Sequence, residues 1–307
     1  MLAELSDRLA PSCLFISTLC HRIYSYHTAM SDSELQDWPR DVGEAFKDGF
    51  HRTGQFAANS DFAAEDKLGN GADCVTAVDR YIEETIFTRL RAVYPTHQFV
   101  GEETTAEHGN GYKVTDQPTW IVDPVDGTNN FVHHFPYTGI SIGPGDQQAA
   151  GGRRPVPAGI GRAVHGGART RRDSLTRLLL DKEDGGACVQ NLRVIGAAAP
   201  DLALVAKGSA EIYWECGPHA WDFAAGALLV TESGGAVFDG AGFWGSDVPE
   251  NDRVPKPLDL WKRKIVAVRY IPDLDGQPGS GRELQRKLAK ELLDVVEDID
   301  YPADGCQ

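Results

Sequence analysis

Trp120-Ile121-Val122-Asp123-Pro124-Val125-Asp126-Gly127-Thr128-Asn129-Asn130-Phe131 is the stretch from which the fold of this chain is read. An apolar run of β character ends on a carboxylate, Pro124 lacks the N–H that would extend a sheet ladder, and a second carboxylate follows at Asp126. The chain is expected to turn where its acids cluster. Asp126-Gly127-Thr128-Asn129-Asn130 is turn and N-cap chemistry, so N–H groups of a helix start point into the space the two acids share. Carboxylates beside bare N–H donors can hold hard cations and a phosphate together. The plainer alternative is a pair of solvated turn acids.

Working outward, a chain of 307 residues with 41% hydrophobic and 24% charged content suits one large core or two packed subdomains. Its net charge of -15 argues against nucleic acid or an anionic membrane as partner, because phosphate backbones are bound by basic patches. An acidic protein that takes a phosphate substrate needs a cation to offset its own field. The six cysteines (Cys13, Cys20, Cys74, Cys188, Cys216 and Cys306) show no C-x-x-C and no paired spacing, which fits a reduced, cytoplasmic setting. The early apolar run from Leu14 to Leu19 is too short to span a bilayer, and Glu4 and Asp7 stand where a secretory signal carries basic residues.

Taken in order, residues 1–29 read as a loose extension, and 34–58 as a helix weakened by Pro39, Gly43, Gly49 and Gly54. A helix is expected from Asp79 to Val93, with Ile82, Ile86, Leu90 and Val93 along one stripe and Pro95 ending it. His97 to Gly101 reads as a strand, the following stretch to Gly111 as a polar loop, and Phe135 to Ile142 as a strand entering the core. From Gly143 the alternation fails, and 143–185 reads as irregular. A disordered insertion, a basic surface loop and an out-of-frame coding block all have the composition of its Gly-, Pro- and Arg-rich first part, to about Arg172.

Order returns with a helix over Gly196 to Ala206 that tolerates Pro200 only in its first turn, and a strand over Glu211 to Glu215. A strongly apolar helix runs from Pro218 to Thr231 and stops at Gly234-Gly235, with a strand over Ala236 to Asp239. A loop over 240–262, a strand over Lys264 to Ile271 and an amphipathic helix over 281–298 close the chain, the last with Leu284, Leu288, Leu292, Val295 and Val296 on its apolar side. Mixed strands and helices point to an α+β or layered α/β architecture. The expected division is an N-terminal α+β subdomain over 30–190 and a C-terminal α/β subdomain over 191–307.

Asp123-Pro124-Val125-Asp126-Gly127-Thr128-Asn129-Asn130-Phe131 matches D-P-[IVL]-D-G-T-x-N-F at every specified place, and so resembles the metal-binding signature of the inositol monophosphatase family. Gly101-Glu102-Glu103 resembles that family's G-E-E motif, Trp221-Asp222 its W-D signature, and the stretch from Asp73 to Asp79 its D-x-V-T-x-x-D pattern. The resemblance implies a layered αβαβα sugar-phosphatase-like fold, with the middle sheet incomplete if 143–172 lacks strands. It implies a Mg2+-dependent, lithium-sensitive phosphomonoesterase acting on inositol monophosphate or a related small polyol phosphate.

Residue by residue, it makes Glu102, Asp123, the Val125 carbonyl, Asp126 and Asp222 metal ligands, with Glu103 and Lys67 in support. Thr128, oriented by Asp79, helps activate the attacking water, and Glu102 shares in the catalysis. Asp126, the Gly127 and Thr128 N–H groups, Gly196, Ala198 and Glu215 contact substrate. The family usually has Thr or Ser where Ala197 stands, which leaves the identity of the alcohol open. Relatives commonly pair as homodimers.

The bland roles are a solvated strand end for Glu102, a helix cap for Asp79 and a dipole partner for Asp222. Magnesium keeps waters in an octahedral oxygen shell, so a few carboxylates and one carbonyl leave room for phosphate and nucleophile, and no protein nucleophile is required. Two other readings remain: a non-catalytic, regulatory member that binds phosphate or metal, and a phosphatase for a bisphosphorylated nucleotide or sugar.

Overall fold

The computed structural model describes residues 65–66, 74–75, 77–107, 117–132, 135, 137–145, 168–299 and 301. The expectations for 1–29 and 34–58 fall outside them. In chain order the elements are β1 (Glu65–Asp66), β2 (Cys74–Val75), α1 (Ala77–Val93), β3 (Gln98–Gly101), α2 (Glu102–Glu107), β4 (Thr119–Asp126), α3 (Thr128–Val132), β5 (Gly139–Pro144) and α4 (Ala168–Leu179). There follow α5 (Ala198–Lys207), β6 (Ile212–Cys216), α6 (Ala220–Glu232), β7 (Ala236–Phe238), β8 (Lys264–Val268) and α7 (Ser280–Val295).

Among the described residues two three-stranded sheets carry the fold, one in the order β3-β4-β5 and the other β6-β8-β7. In the first, β3 runs parallel and β5 antiparallel to β4, whose eight residues are all buried. Alternation along β4 shows why: Trp120 and Val122 pack with Ile82, Ile86, Phe87 and Leu90 of α1, whereas Ile121 packs with Ala198 and Leu202 of α5 and Phe223 of α6. The second sheet alternates in the same way. Tyr213, Ile265 and Ala267 face α5 and α6, and Val266, Val268 and Trp214 face α7 and Leu178 of α4. The layers are therefore α1, first sheet, α5 with α6, second sheet, α7 with α4: an α+β fold of five layers. Because α6 lies between two sheets it is apolar nearly all round, including Trp221, Phe223, Ala224, Ala225 and Leu228.

Several expectations are corrected. The polar stretch after Gly101 begins with a helix, α2, not a loop. Val93 leaves the α1 stripe and is 43% exposed, since the helix ends there. The strand expected from Phe135 begins at Gly139, and Phe135 and Tyr137 lie exposed. The block 143–185 is not irregular throughout: Gly143 and Pro144 complete β5, and α4 occupies Ala168–Leu179. Arg177 anchors α4, donating to the Val295 carbonyl at 2.7 Å with its guanidinium over the Trp244 ring. On α7 the buried line runs through Gln285, Ala289, Leu292 and Leu293 rather than Leu284. Gln285 is tolerated inside because its amide donates to the Gly234 and Arg269 carbonyls at 3.0 and 2.8 Å.

Candidate active site

Pro124 does not end β4. The strand continues to Asp126 through a bulge: Asp123 lies opposite Ser141 and Asp126 opposite Gly139, so Pro124 and Val125 together face the single residue Ile140. A proline, having no N–H, fits where the ladder is interrupted. The bulge has a consequence for side-chain direction. Residues three apart on a regular strand point to opposite faces, but Ser141 and Gly139 are two apart and share a face, so their partners Asp123 and Asp126 share it as well.

That face meets α5 and α6. Ser141 donates its hydroxyl proton to the Trp221 carbonyl at 2.7 Å. A Cβ on Gly143 would stand 2.7 Å from the Ala225 backbone nitrogen, so only glycine lets the helix lie this close. Ser141 and Gly143 thus seat the first turns of α6 on the sheet and bring Asp222 to the acids of β4, while Gly139 lies against Ala199 and Pro200 of α5. Asp222 occupies the third position of α6 and accepts the His219 N–H at 2.6 Å, the capping contact expected of an acid there. Asp126 reaches across to α5 and accepts N–H donors from Ala198 at 3.2 Å and from Ala199. It supplies the cap that Ala197, in extended geometry at the helix start, cannot.

Glu102 enters from β3. Gly101 pairs with Val122 in parallel register, which sets Glu102 level with Asp123 at the carboxyl ends of adjacent strands. The next residues turn at once into α2, and the buried Glu83 of α1 accepts the Glu103 and Thr104 N–H groups, each at 2.8 Å. Glu103 is 4% exposed and lies 3.8 Å from the Arg80 guanidinium.

The acids feel one another. Burial first, then the charges of Glu102, Asp126, Asp222 and Asp79, hold Asp123 well above the ordinary carboxylate range. Burial raises Asp126 to about 8 against the opposing Ala199 and Ala198 N–H groups, with Glu215 and Glu102 adding to the rise. Asp222 is likewise pushed well up, by burial and by Asp126, Glu102 and Glu215. Among the described residues no Lys, Arg or His side chain forms an ion pair with Asp123, Asp126 or Asp222. Buried oxygen donors without a protein cation suit a hard divalent ion. As they stand, no three Asp, Glu, His or Cys side chains among the described residues are gathered tightly enough to hold one, because the aspartates are turned onto backbone N–H groups, Asp123 onto Val125 at 3.0 Å.

Next to the acids, Gly127 adopts φ +81°, and a Cβ there would stand 2.8 Å from that of Ala197, so the turn into α3 requires glycine twice over. The Thr128 hydroxyl lies 2.9 Å from the Val125 carbonyl and 3.4 Å from Asp79 Oδ1, and its one proton serves one acceptor at a time. Asn130 donates to the Tyr137 and Ile195 carbonyls, both at 2.8 Å, tying α3 to the Gly196 turn that precedes α5. On the second sheet Tyr213 donates its hydroxyl proton to Glu215. Burial and Glu215 raise Asp201, in the first turn of α5, to about 7. Lys67 falls outside the described residues.

Four residues of this neighbourhood were given no role by the sequence reading. Glu83 lies four residues after Asp79 on the α1 stripe, and an acid in that apolar line was the available signal. Asn130 was visible as the motif's asparagine but without a task. Asp201 and Tyr213 gave no signal, since their place depends on β6 meeting α5.

A model of the inositol monophosphatase family matches residues 36–150 and 162–296. Inositol monophosphatase 1 of Xenopus laevis is 32% identical over 254 residues, which are 72% of this chain and 80% of that protein. The human protein of the same name is 32% identical over 251 residues, 72% and 82% of the two chains. The crystal structure of the extragenic suppressor protein suhB from Bartonella henselae superposes with a TM-score of 0.55 at 24% identity, covering 85% of this chain and 98% of that one, a likeness of fold.

Proposed function

We propose that this chain, which belongs to the inositol monophosphatase family, hydrolyses the phosphate monoester of inositol or a related small polyol with the help of Mg2+. The chain is a phosphatase of that family. The observation that carries the finer reading is the bulge in β4, which turns Asp123 and Asp126 to one face, toward Asp222. In this reading Glu102, Asp123, Asp126, Asp222 and the Val125 carbonyl hold the cations. Bound divalent cations supply Lewis acidity, lowering the pKa of water and neutralising phosphate oxygens.

The rest falls to the chain. The Gly127 and Thr128 N–H groups, at a helix start, receive phosphate oxygens. When the Thr128 hydroxyl turns from the Val125 carbonyl to Asp79, it can pass its own proton to that carboxylate as its oxygen takes one from the attacking water. The water oxygen bonds to phosphorus, the bond to the alcohol oxygen breaks, and that oxygen takes a proton, giving phosphate and the polyol. Glu215, held by Tyr213, and the Gly196–Ala198 turn lie where polyol hydroxyls are gripped. The boundary between the halves falls near residue 190, the first contributing Glu102, Asp123 and Asp126, the second Asp222 and Glu215.

A cytoplasmic location and a homodimer complete the proposal. Among the described residues no helix is long and apolar enough to cross a membrane. The test is phosphate release from inositol monophosphate, 3′,5′-bisphosphorylated adenosine and fructose bisphosphate, with Mg2+, with chelator and with added Li+. Magnesium-dependent release favouring the inositol ester, and suppressed by Li+, is expected. Uptake of Mg2+ and phosphate without turnover on any ester would replace this reading with a binding role.

A further inference from the structure

We propose that Glu83 is a positioning residue for the cation site: by capping α2 it fixes the direction of Glu102. The proposal rests on the reading of Glu102 as a ligand and adds a residue which that reading does not use. Glu83 is 2% exposed, in a line on α1 otherwise filled by Ile82, Ile86, Phe87 and Leu90, where an aliphatic side chain carries no desolvation cost. Its carboxylate is nonetheless fully engaged. One oxygen accepts the Glu103 N–H at 2.8 Å, and the other accepts the Thr104 N–H at 2.8 Å and the Thr104 hydroxyl proton.

These donors belong to the first turn of a helix of six residues, too short to hold its shape without help, and Glu102 is its first residue. Gly101 adds an independent sign of design. A Cβ at that position would collide with the Glu83 carboxylate, so the chain gives up every side chain there to admit the contact. The same helix face carries Asp79 one turn earlier, within 3.4 Å of the Thr128 hydroxyl. One rigid rod, α1, therefore sets both the proton acceptor beside Thr128 and the bearing of Glu102. Groups that orient ligands from outside the coordination shell change metal affinity by about 10- to 100-fold when removed.

The test is calorimetric titration of the full chain with Mg2+, wild type against Glu83→Gln, Thr104→Ala and Glu84→Gln. Glu84, the next residue of the same helix, is exposed and controls for loss of one charge. The Mg2+ dissociation constant should rise about tenfold or more in Glu83→Gln, by a smaller factor in Thr104→Ala, and stay within twofold (roughly) in Glu84→Gln. The substrate KM at saturating Mg2+ should not move. If Glu83→Gln fails to fold, Thr104→Ala, which loses one of the three contacts, decides the matter. An unchanged Mg2+ constant in the folded Glu83→Gln protein, or an equal shift in Glu84→Gln, overturns the proposal. Wild-type protein that takes up no Mg2+ overturns the underlying reading instead.

Discussion

β4 and β8 are each the middle strand of a three-stranded sheet, each buried along its whole length, and each pressed between helices on both faces. They spend that position differently. β8 is Lys-Ile-Val-Ala-Val, apolar but for its first residue, whose ammonium reaches Asp298. β4 ends in two carboxylates and a proline, a bulge breaks its ladder, and its acids are raised rather than compensated. A strand built for stability alone would look like β8. The difference locates the function in β4 and assigns β8 to holding the layers together.

The largest expected effect breaks β4 chemically. Asp123→Asn removes one charge from a crowded site, so phosphate release should fall about a thousandfold, the several kcal/mol of a lost ligand at 1.36 kcal/mol per tenfold. The metal-free melting temperature should hold or rise, since a buried, repelled carboxylate is gone. A lower melting temperature with activity intact would reverse the roles of the two strands. The matching change in β8, Ile265→Ala, should cost about 2–5 kcal/mol in a denaturant titration while leaving the Mg2+ constant unmoved.

Gly143→Ala probes the seat that brings Asp222 to β4. A methyl group against the Ala225 backbone displaces α6, and a shift of about 1 Å at a ligand is worth on the order of a hundredfold in rate. Full activity in that variant would detach Asp222 from the site.

A pH series sharpens the contrast further. Between the ordinary aspartate value of 3.8 and the folded values of about 8 for Asp126 and about 7 for Asp201, the native chain keeps protons that the unfolded chain has released. Stability in chelator should therefore fall as pH rises through that window, and Mg2+ should oppose the fall. Melting curves at the two ends, with and without Mg2+, measure it; a chelator profile that climbs with pH contradicts the charge account of β4. The smallest effect belongs to Ala197→Ser. A hydroxyl at the start of α5 gives the helix its own cap, worth about 0.5–1 kcal/mol by thermal melting.

Much of this was legible beforehand. The ordered string from Asp123 to Phe131 announced the family, and helical spacing found α1, α5 and α6 because an apolar stripe is written locally. The reading of Pro124 as a strand end was wrong because a bulge depends on the partner strand, and β5 supplies it. Glu83 hid inside an apolar line because its partners lie 20 and 21 residues away. On α7, Leu292, Val295 and Val296 are buried as expected, but Gln285 takes the buried place given to Leu284, because a glutamine looks polar until the Gly234 and Arg269 carbonyls that satisfy it are known. In the stretch after Gly143, arginine density masked α4, although one of its arginines, Arg177, helps hold it to the molecule.

Anomalous diffraction from crystals soaked in Mn2+ tests the central claim most directly. Peaks at coordination distance, about 2.1 Å, from carboxylate oxygens of Asp123, Asp126, Asp222 and Glu102 are the expected result. Manganese bound elsewhere, with Asp123 and Asp126 still turned onto backbone N–H groups, would contradict it.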